Sequence, residues 1–204
     1  MPIPIEAIVK NYDCDPALAQ RLATRPSPPS LTIVSPNRRW PSDYADLHAV
    51  LVSALGPTAI SIGHTGSTSV PGLPAKDCID VDVCVADVDD EGAYVPALEE
   101  AGFLFLLRER SWHGHRLFCR ADPGLQPVNL HVWPRDCPEV ERHRIFRDWL
   151  VREPEDRALY ARVKREASAA ALEAGEGVEA YNLRKEATIR HILDRAFRHL
   201  GYVD

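Results

Sequence analysis

Residues 63–85 read GHTGSTSVPGLPAKDCIDVDVCV, and the prediction of the fold starts from this stretch. Its second half, from Cys78 to Val85, alternates apolar and polar residues, as a strand does when one of its faces packs on a core. The apolar residues of this run are Ile79, Val81, Val83 and Val85. We therefore predict a β-strand whose other, exposed face carries Asp80 and Asp82.

Asp80 and Asp82 would lie about 7 Å apart on that face, which is costly without a nearby cation. Hard divalent ions are held in proteins by carboxylate oxygens together with substrate phosphates. We predict a site for Mg²⁺ (or Mn²⁺) at the two aspartates. The alternative is that both are solvated residues of an exposed strand.

The turn that precedes this strand favours the metal site over the alternative. Its residues Gly66, Ser67 and Thr68 can offer backbone N–H groups and hydroxyls to phosphate oxygens. A phosphate held at this turn would lie beside the two aspartates. We therefore predict that the turn binds the phosphates of a substrate.

The composition is that of an ordinary globular protein, with 204 residues, 45% of them hydrophobic and 26% charged. This length suits one large domain, or one domain with a helical appendage. The net charge of -6 argues against an extended nucleic-acid surface but allows a local basic pocket for a nucleotide. No apolar run reaches the length of a membrane span, and the N-terminus does not resemble a signal peptide, so we expect a cytoplasmic protein.

The five cysteines form no C-x-x-C pair and are odd in number. We expect them to be reduced and mostly buried rather than a disulfide framework or a zinc site. They are Cys14, Cys78, Cys84, Cys119 and Cys137.

Residues 1–30 are predicted to form an N-terminal appendage. A short helical run from Ala17 to Ala23 is followed by the breaker cluster RPSPPS at residues 25–30, which favours extended geometry. This segment could cap the domain or contribute to a homodimer, and the sequence does not decide between the two.

Residues 31–204 are predicted to form a single α+β domain, sheet-rich over 31–136 and helical over 137–204. The predicted strands are 31–34, 59–62, 78–85, 103–107, 116–119 and 128–133. The predicted helices start near Pro41, Asp87, Glu139, Pro154 and Val178, and the second of these ends before Gly102. The whole is a mixed sheet flanked by helices with a C-terminal helical part.

Two groups of histidines are candidates for chemistry. His131 shares one face of its strand with Asn129 and Trp133, so beside the aspartates it could be a third metal ligand or a general base. The alternative is a structural histidine bonded to a polar neighbour. His113 and His115 form an H-x-H pair near a turn, and we interpret them as surface histidines rather than a zinc or copper site.

A polyanion at this site would need several basic residues to converge on it. Lys164, beside the apolar Val163, is the first choice among the helical residues, and Arg116, in an extended segment near the sheet, is the second. Lys76 lies in the loop before the aspartates. For any one basic residue the alternative is a solvated position on a helix face.

The GHTGSTSVPGLPAKDCIDVDV signature is followed by NLHV at residues 129–132, FRDWL at 146–150, ALYARVK at 158–164 and the stretch from Tyr181 to Lys185. Over roughly residues 33–196 the sequence resembles the GrpB family. That family consists of uncharacterised proteins placed among those with the nucleotidyltransferase fold, and it also occurs fused to dephospho-coenzyme A kinase.

The resemblance implies a nucleotidyltransferase-like fold. Gly66-Ser67 is similar to the Gly-Ser motif of nucleotidyltransferases such as DNA polymerase beta, and Asp80 and Asp82 are similar to their metal-binding D-x-D. A later strand commonly supplies a third carboxylate, and here that position holds His131. A second departure is Asp77, where we expect proline in the family.

The function that the resemblance implies is metal-dependent nucleotidyl transfer from a nucleoside triphosphate to a small molecule. Ser67 would hold phosphates, and Asp80, Asp82 and His131 would be the metal-binding and catalytic residues. The substrate-binding candidates are Gly66, Ser67, Thr68, Lys76, Arg116, Lys164, Tyr181 and Lys185. Two alternatives stay open: a non-catalytic module that binds a nucleotide or anionic metabolite, and acid–base chemistry without a nucleotide in a biosynthetic pathway.

Overall fold

The computed structural model describes residues 3–12, 16–120, 122 and 124–204. Within these residues, strands pair into one mixed sheet in the order β1-β4-β5-β6-β3-β2. Its strands are β1 Gln20–Arg21, β2 Ala59–Thr65, β3 Ile79–Val85, β4 Leu104–Glu109, β5 His115–Arg120 and β6 Val128–Pro134. The β3–β6 pair is parallel, and the other neighbours are antiparallel. The predicted mixed sheet is confirmed.

The helices of the described residues are α1 Ile5–Val9, α2 Trp40–Leu55, α3 Val95–Glu100, α4 Pro138–Arg152, α5 Pro154–Glu173 and α6 Val178–His199. Proline occupies the first turn of four of them, α2 to α5, where its missing N–H costs no internal hydrogen bond. The start of α2 at Trp40–Pro41 agrees with the prediction from Pro41. The predicted C-terminal helical part is confirmed by α4, α5 and α6.

Helices cover both faces of the sheet. The apolar side chains of β3 pack with α2 and α3 in one large core that includes Leu47, Leu51 and Leu98. On the opposite face, α4 reaches the strand through His143, which contacts Asp82. The aspartates of β3 therefore lie between the sheet and the C-terminal helices, and the prediction of an exposed strand face is wrong because α4 covers it.

Residues of α1 and β1, before position 31, pack on the rest of the chain. Ile8 of α1 lies in a cluster with Ile145 and Phe197. The helix predicted from Ala17 to Ala23 is wrong, since β1 pairs there with β4 and Leu22 donates its N–H to the Leu106 carbonyl. An open sheet edge supplies backbone partners that a short isolated helix lacks.

Two further elements differ from prediction. The strand predicted over residues 31–34 is a single bridge between Val34 and Ala75. The helix predicted from Asp87 to before Gly102 is reduced to a 3₁₀ turn at Glu91–Ala93 and the short α3. Proline at the start of α3 suits a new helix start better than a helix interior.

Of the cysteines in the described residues, Cys78, Cys84, Cys119 and Cys137 are free and all but Cys78 are buried, whereas Cys14 lies outside those residues. No helix in the described ranges combines the length and the apolar character needed to cross a membrane.

Candidate functional site

The register of the neighbouring strands β2, β3 and β6 brings several of the predicted residues together. Asp80 pairs with Thr65 of β2 on one side and with Asn129 of β6 on the other. Asp82 pairs with His131 in the parallel β3–β6 ladder. The strand that carries His131 therefore does lie beside the aspartate strand.

Gly66 directly follows β2 and lies against the Asp80 carboxylate. Its φ of 66° is in the region that favours glycine, and a Cβ built there would lie 2.3 Å from Asp80 Oδ2. The 3₁₀ turn Ser67–Ser69 follows at once. Glycine therefore allows the chain to pass directly against Asp80 and to enter the Ser67–Ser69 turn.

Asp82 is closed off from solvent, with 4% of its surface exposed. Its Oδ1 accepts a hydrogen bond from Trp133 Nε1 at 2.8 Å, and its Oδ2 lies 2.8 Å from His143 Nδ1. Burial disfavours a charged His143, but the Asp82 carboxylate overcomes this and raises the pKa of His143 to about 9. The cation that two neighbouring aspartates require is thus supplied in part by the protein itself.

Asp80 is open by comparison, with 28% of its side chain exposed. Its Oδ1 accepts a hydrogen bond from Asn129 Nδ2 at 2.7 Å and lies 4.0 Å from His131 Nε2. Burial raises the pKa of Asp80, but His131, Asn129 and Lys76 outweigh it, so the pKa lies below its usual range. Asp80 is therefore an ionised carboxylate that faces the site.

A segment that the sequence placed outside the domain reaches this carboxylate indirectly. Arg25 Nη2 donates a hydrogen bond to Asn129 Oδ1 at 2.6 Å, and Asn129 in turn donates to Asp80. The residues before position 31 thus contribute a further positive charge to the edge of the site.

Three lysines surround two tyrosine rings next to Asp80. Lys185 Nζ lies 4.1 Å, and Lys76 Nζ 5.0 Å, from the centre of the Tyr181 ring. Lys164 Nζ lies 5.2 Å from the centre of the Tyr160 ring. We call Lys76, Lys164 and Lys185 the lysine cluster.

Two of the three lysines, Lys164 and Lys185, are buried, Lys76 is partly exposed, and the cluster is poor in counter-charge. Lys164 is 1% exposed and donates a hydrogen bond to the Pro74 carbonyl at 2.6 Å, and Lys185 is 8% exposed. Burial, aided by the neighbouring lysines, lowers the pKa of Lys164 to about 6 and that of Lys185 to about 7, with Asp80 opposing the shift. Within the described residues no lysine of the cluster takes part in a salt bridge.

The usage of lysine in the chain makes this convergence specific. The sequence contains four lysines, at positions 10, 76, 164 and 185, among its 24 basic residues. Three of the four lysines lie at one site, whereas nearly all basic residues elsewhere in the chain are arginines. Lysine is the basic residue whose protonation responds to burial, while arginine stays charged.

The geometry does not offer Asp82 together with Asp80 to a hydrated Mg²⁺ ion. Mg²⁺ usually keeps several waters, and Asp82 has no open side for a hydrated ion because Trp133 and His143 enclose its carboxylate. Within the described ranges no group of three His, Cys, Asp or Glu side chains is placed to hold a metal. We therefore derive no chemical step through a metal.

Arg116 is not brought to the site. It is 0% exposed and donates to Glu91 Oε1 at 3.0 Å, to Asp89 Oδ1 at 2.6 Å and to the Gly114 carbonyl at 2.6 Å. Neighbouring residues of a strand point to opposite faces, so Arg116 points away from the face to which His115 and the aspartates belong. Arg116 is bound by acids of its own on the far side of the sheet.

His115 is buried, and its interpretation as a surface histidine is wrong. Its Nδ1 lies 2.6 Å from Glu109 Oε2, and its Nε2 lies 2.9 Å from His131 Nδ1. The ring stacks on Trp133 with their centres 4.2 Å apart. The H-x-H pattern therefore marks a strand of which one histidine faces inward, toward His131.

The remaining predicted residues lie around the turn. Thr68 is buried and its Oγ1 lies 3.0 Å from His64 Nε2. A cavity of about 620 Å³ opens on that side of the turn, lined by Trp40, His64 and Val70 among others, and not over Asp80. Asp77, the departure from the family pattern, accepts a hydrogen bond from Trp40 Nε1 at 2.7 Å.

Several residues of the site were not predicted from the sequence. Asn129 and Trp133 had a signal, since they alternate with His131 on one strand face. No sequence pattern pointed to His143 or Arg25, because their partners Asp82 and Asn129 are 61 and 104 positions away in the chain. Tyr160 belonged to an apolar helix stripe, and burial raises its pKa to about 12 against an opposing interaction with Ser67.

Comparison with known proteins agrees with this architecture. The GrpB protein family matches residues 30–195 of the chain. The chain belongs to the GrpB family. It is 38% identical over 172 residues to UPF0157 protein BH1888 of Halalkalibacterium halodurans, covering 84% of this chain and 85% of that protein.

Two further similarities are of different kinds. The crystal structure of the conserved protein GrpB from Enterococcus faecalis matches with a TM-score of 0.71 and 23% identity, covering 83% of this chain and 99% of that one, which shows a shared fold. A protein named dephospho-CoA kinase from Mycolicibacterium paratuberculosis is 31% identical over 190 residues. The match covers 81% of this chain but 46% of the kinase, so the chain spans less than half of that relative.

Proposed function

We propose that this chain binds a phosphate-bearing small molecule between the Gly66–Ser67 turn and the lysine cluster, with a nucleoside triphosphate as the first candidate. The observation that carries the proposal is the lysine cluster, of which Lys164 and Lys185 are buried and Lys76 is partly exposed, and which has no salt bridge within the described residues. Buried charges in proteins are normally paired, so a site that gathers basic side chains without an ion-pair partner suits an anionic ligand, which would favour their protonated forms.

The charges around the site support an anion rather than a cation as ligand. Lys76, Lys164 and Lys185 face a single ionised carboxylate, Asp80, because Asp82 is already paired with His143. A bound phosphate would favour the charged forms of Lys164 and Lys185, whose pKa values burial has lowered. The Ser67 hydroxyl interacts with Tyr160, whose ring lies beside Lys164, and would accept or donate a further hydrogen bond to the ligand.

Nucleotidyl transfer to a small-molecule acceptor is the finer form of this proposal. It is supported by the GrpB family's resemblance to nucleotidyltransferases and by Asp80, a partly exposed carboxylate next to the turn. A non-catalytic binding module would use the same residues. Participation of Mg²⁺ or Mn²⁺ stays a prediction, and the experiment below is run with and without these ions.

Thermal unfolding of the purified protein with ATP, ADP, inorganic phosphate or adenosine tests the proposal. ATP at about 100 times its Kd should stabilise the fold by roughly 2.7 kcal/mol, whereas adenosine, which lacks phosphate, should not shift the transition. Equal shifts with adenosine and ATP, or no shift with any phosphate compound, would contradict the proposal. Pyrophosphate release from ATP with a mixture of hydroxyl and amine acceptors tests the transfer reaction separately.

Asp80→Asn in the same assays separates the two forms of the proposal. A loss of pyrophosphate release with binding retained would support transfer. No release with any acceptor, in either protein, would leave the binding module as the function. If Asp80→Asn changes neither binding nor turnover, Asp80 has no part in the site and the proposal fails for that residue.

A further inference from the structure

A row of three side chains leads from the far end of β4 to the candidate site. Glu109 Oε2 lies 2.6 Å from His115 Nδ1, and His115 Nε2 lies 2.9 Å from His131 Nδ1. The free nitrogen of the row, His131 Nε2, lies 4.0 Å from Asp80 Oδ1. The row therefore ends at the carboxylate that faces the proposed ligand.

The order of acceptors along this row determines the position of each proton. A carboxylate only accepts hydrogen bonds, so His115 Nδ1 carries the proton that it donates to Glu109. The other nitrogen of a neutral imidazole is then an acceptor, so His115 Nε2 receives its hydrogen bond from His131 Nδ1. His131 thus carries a proton on Nδ1, and in its neutral form the lone pair is on Nε2.

The surroundings of His115 keep its ring neutral, so that its Nε2 can accept a hydrogen bond. Its ring is 1% exposed and stacks on both Trp133 and His131, with ring centres 4.2 Å and 5.1 Å apart. This burial lowers the pKa of His115 to about 4, although Glu109 opposes the shift. At neutral pH a second proton on His115 is therefore disfavoured.

His131 Nε2 and Asp80 Oδ1 lie too far apart for a normal direct hydrogen bond. An N–H facing a carboxylate would normally approach to about 2.7–3.2 Å. The gap of 4.0 Å between His131 Nε2 and Asp80 Oδ1 is outside that range. Asp80 Oδ1 instead takes its hydrogen bond from Asn129.

We propose that Glu109 and His115 hold His131 as the Nδ1–H tautomer, so that its unprotonated Nε2 faces the ligand site as a proton acceptor. Glu109 and His115 are then positioning residues, since they act only through His131. The row gives His131 a fixed ring orientation as well as a fixed tautomer.

The chemical use of this base rests on the proposed function. A hydroxyl of a bound molecule would transfer its proton to His131 Nε2, breaking the O–H bond and leaving the electron pair on oxygen. The imidazolium formed would keep its Nδ1–H bond to His115 and lie near the negative Asp80. An oxygen so activated is the nucleophile that transfer to a hydroxyl acceptor needs.

The tautomer can be measured on the wild-type protein without any ligand. Two-bond ¹H–¹⁵N correlation spectra of protein labelled at histidine distinguish a protonated ring nitrogen from one with a lone pair. At alkaline pH we expect a protonated Nδ1 and a lone pair on Nε2 for His131, assigned by the loss of its signals in His131→Gln. The exposed His191 provides the comparison in the same spectrum, as a histidine outside the row. A wild-type His131 protonated on Nε2 would overturn the proposal.

His115→Phe tests the cause. Phenylalanine keeps a flat ring against Trp133 but cannot accept from His131 Nδ1, so the Nε2–H form of His131 should become populated. An unchanged tautomer in a folded His115→Phe protein would show that His115 does not hold it, and this would also overturn the proposal. If the variant does not fold, the wild-type spectrum still decides. Failure of ATP to bind would overturn the proposed function and leave this result intact.

Discussion

Arg116 and Lys185 are both buried cations, but they lie in opposite electrostatic surroundings. Arg116 donates to Glu91, Asp89 and a backbone carbonyl, so its charge is matched within the fold. Lys185 makes no hydrogen bond or salt bridge with the described residues and rests on the Tyr181 ring. A matched buried cation serves the stability of the protein, whereas an unmatched one indicates a site where a ligand can supply the opposite charge.

The largest expected effect comes from removing the matched cation. Arg116→Met should destabilise the fold by about 2–4 kcal/mol, because Glu91 and Asp89 lose charged hydrogen bonds from a fully buried donor. Urea unfolding followed by circular dichroism measures this. The variant that folds should keep its affinity for phosphate compounds. A large loss of that affinity would show that Arg116 belongs to the site after all.

A smaller effect is expected at the one carboxylate that faces the lysines. Asp80→Asn removes a negative charge near the bound phosphate, so affinity for inorganic phosphate without metal should rise several-fold, on the order of 1 kcal/mol. Isothermal titration calorimetry measures the change. If binding requires a metal held by Asp80, the same substitution weakens binding of the nucleotide with Mg²⁺ instead, so the sign of the effect separates the two accounts.

A different kind of effect concerns the pH dependence of stability. Burial lowers the pKa of Lys185 to about 7, while an unfolded lysine titrates near about 10.4. Between these values the unfolded chain binds more protons than the folded one, so this residue makes stability rise with pH from about 7 to about 10. Lys185→Met should show a flatter rise in urea unfolding between pH 7 and 9. An identical slope in both proteins would mean that Lys185 is not desolvated in solution.

The alternation of apolar and polar residues was enough to predict the two strands that carry the aspartates and His131. The alternating pattern predicted that Asp80 and Asp82 share one face of β3 and that Asn129, His131 and Trp133 share one face of β6. In the structure the two strands are neighbours, and these residues lie on the same face of the sheet. Pairing of the two strands follows from burying their apolar faces in one core.

The enclosure of Asp82 could not be predicted in this way. It depends on α4 crossing the sheet and placing His143 over the carboxylate, a contact between residues 61 positions apart. The lysine cluster likewise joins a loop and two helices whose relative placement follows from tertiary packing. The sequence showed which residues were charged and where strands lay, but not which charges would be neutralised within the fold.

The most direct test of the central claim compares two lysines that both rest on tyrosine rings. Lys185 lies over Tyr181 in the site, and the exposed Lys10 lies 5.0 Å from the ring centre of Tyr12 outside it. Calorimetric titration with ATP should show about tenfold weaker binding for Lys185→Met than for wild type, and unchanged binding for Lys10→Met. A tenfold change corresponds to about 1.4 kcal/mol. Equal affinities for wild type and Lys185→Met would contradict the claim that the lysine cluster binds the anion.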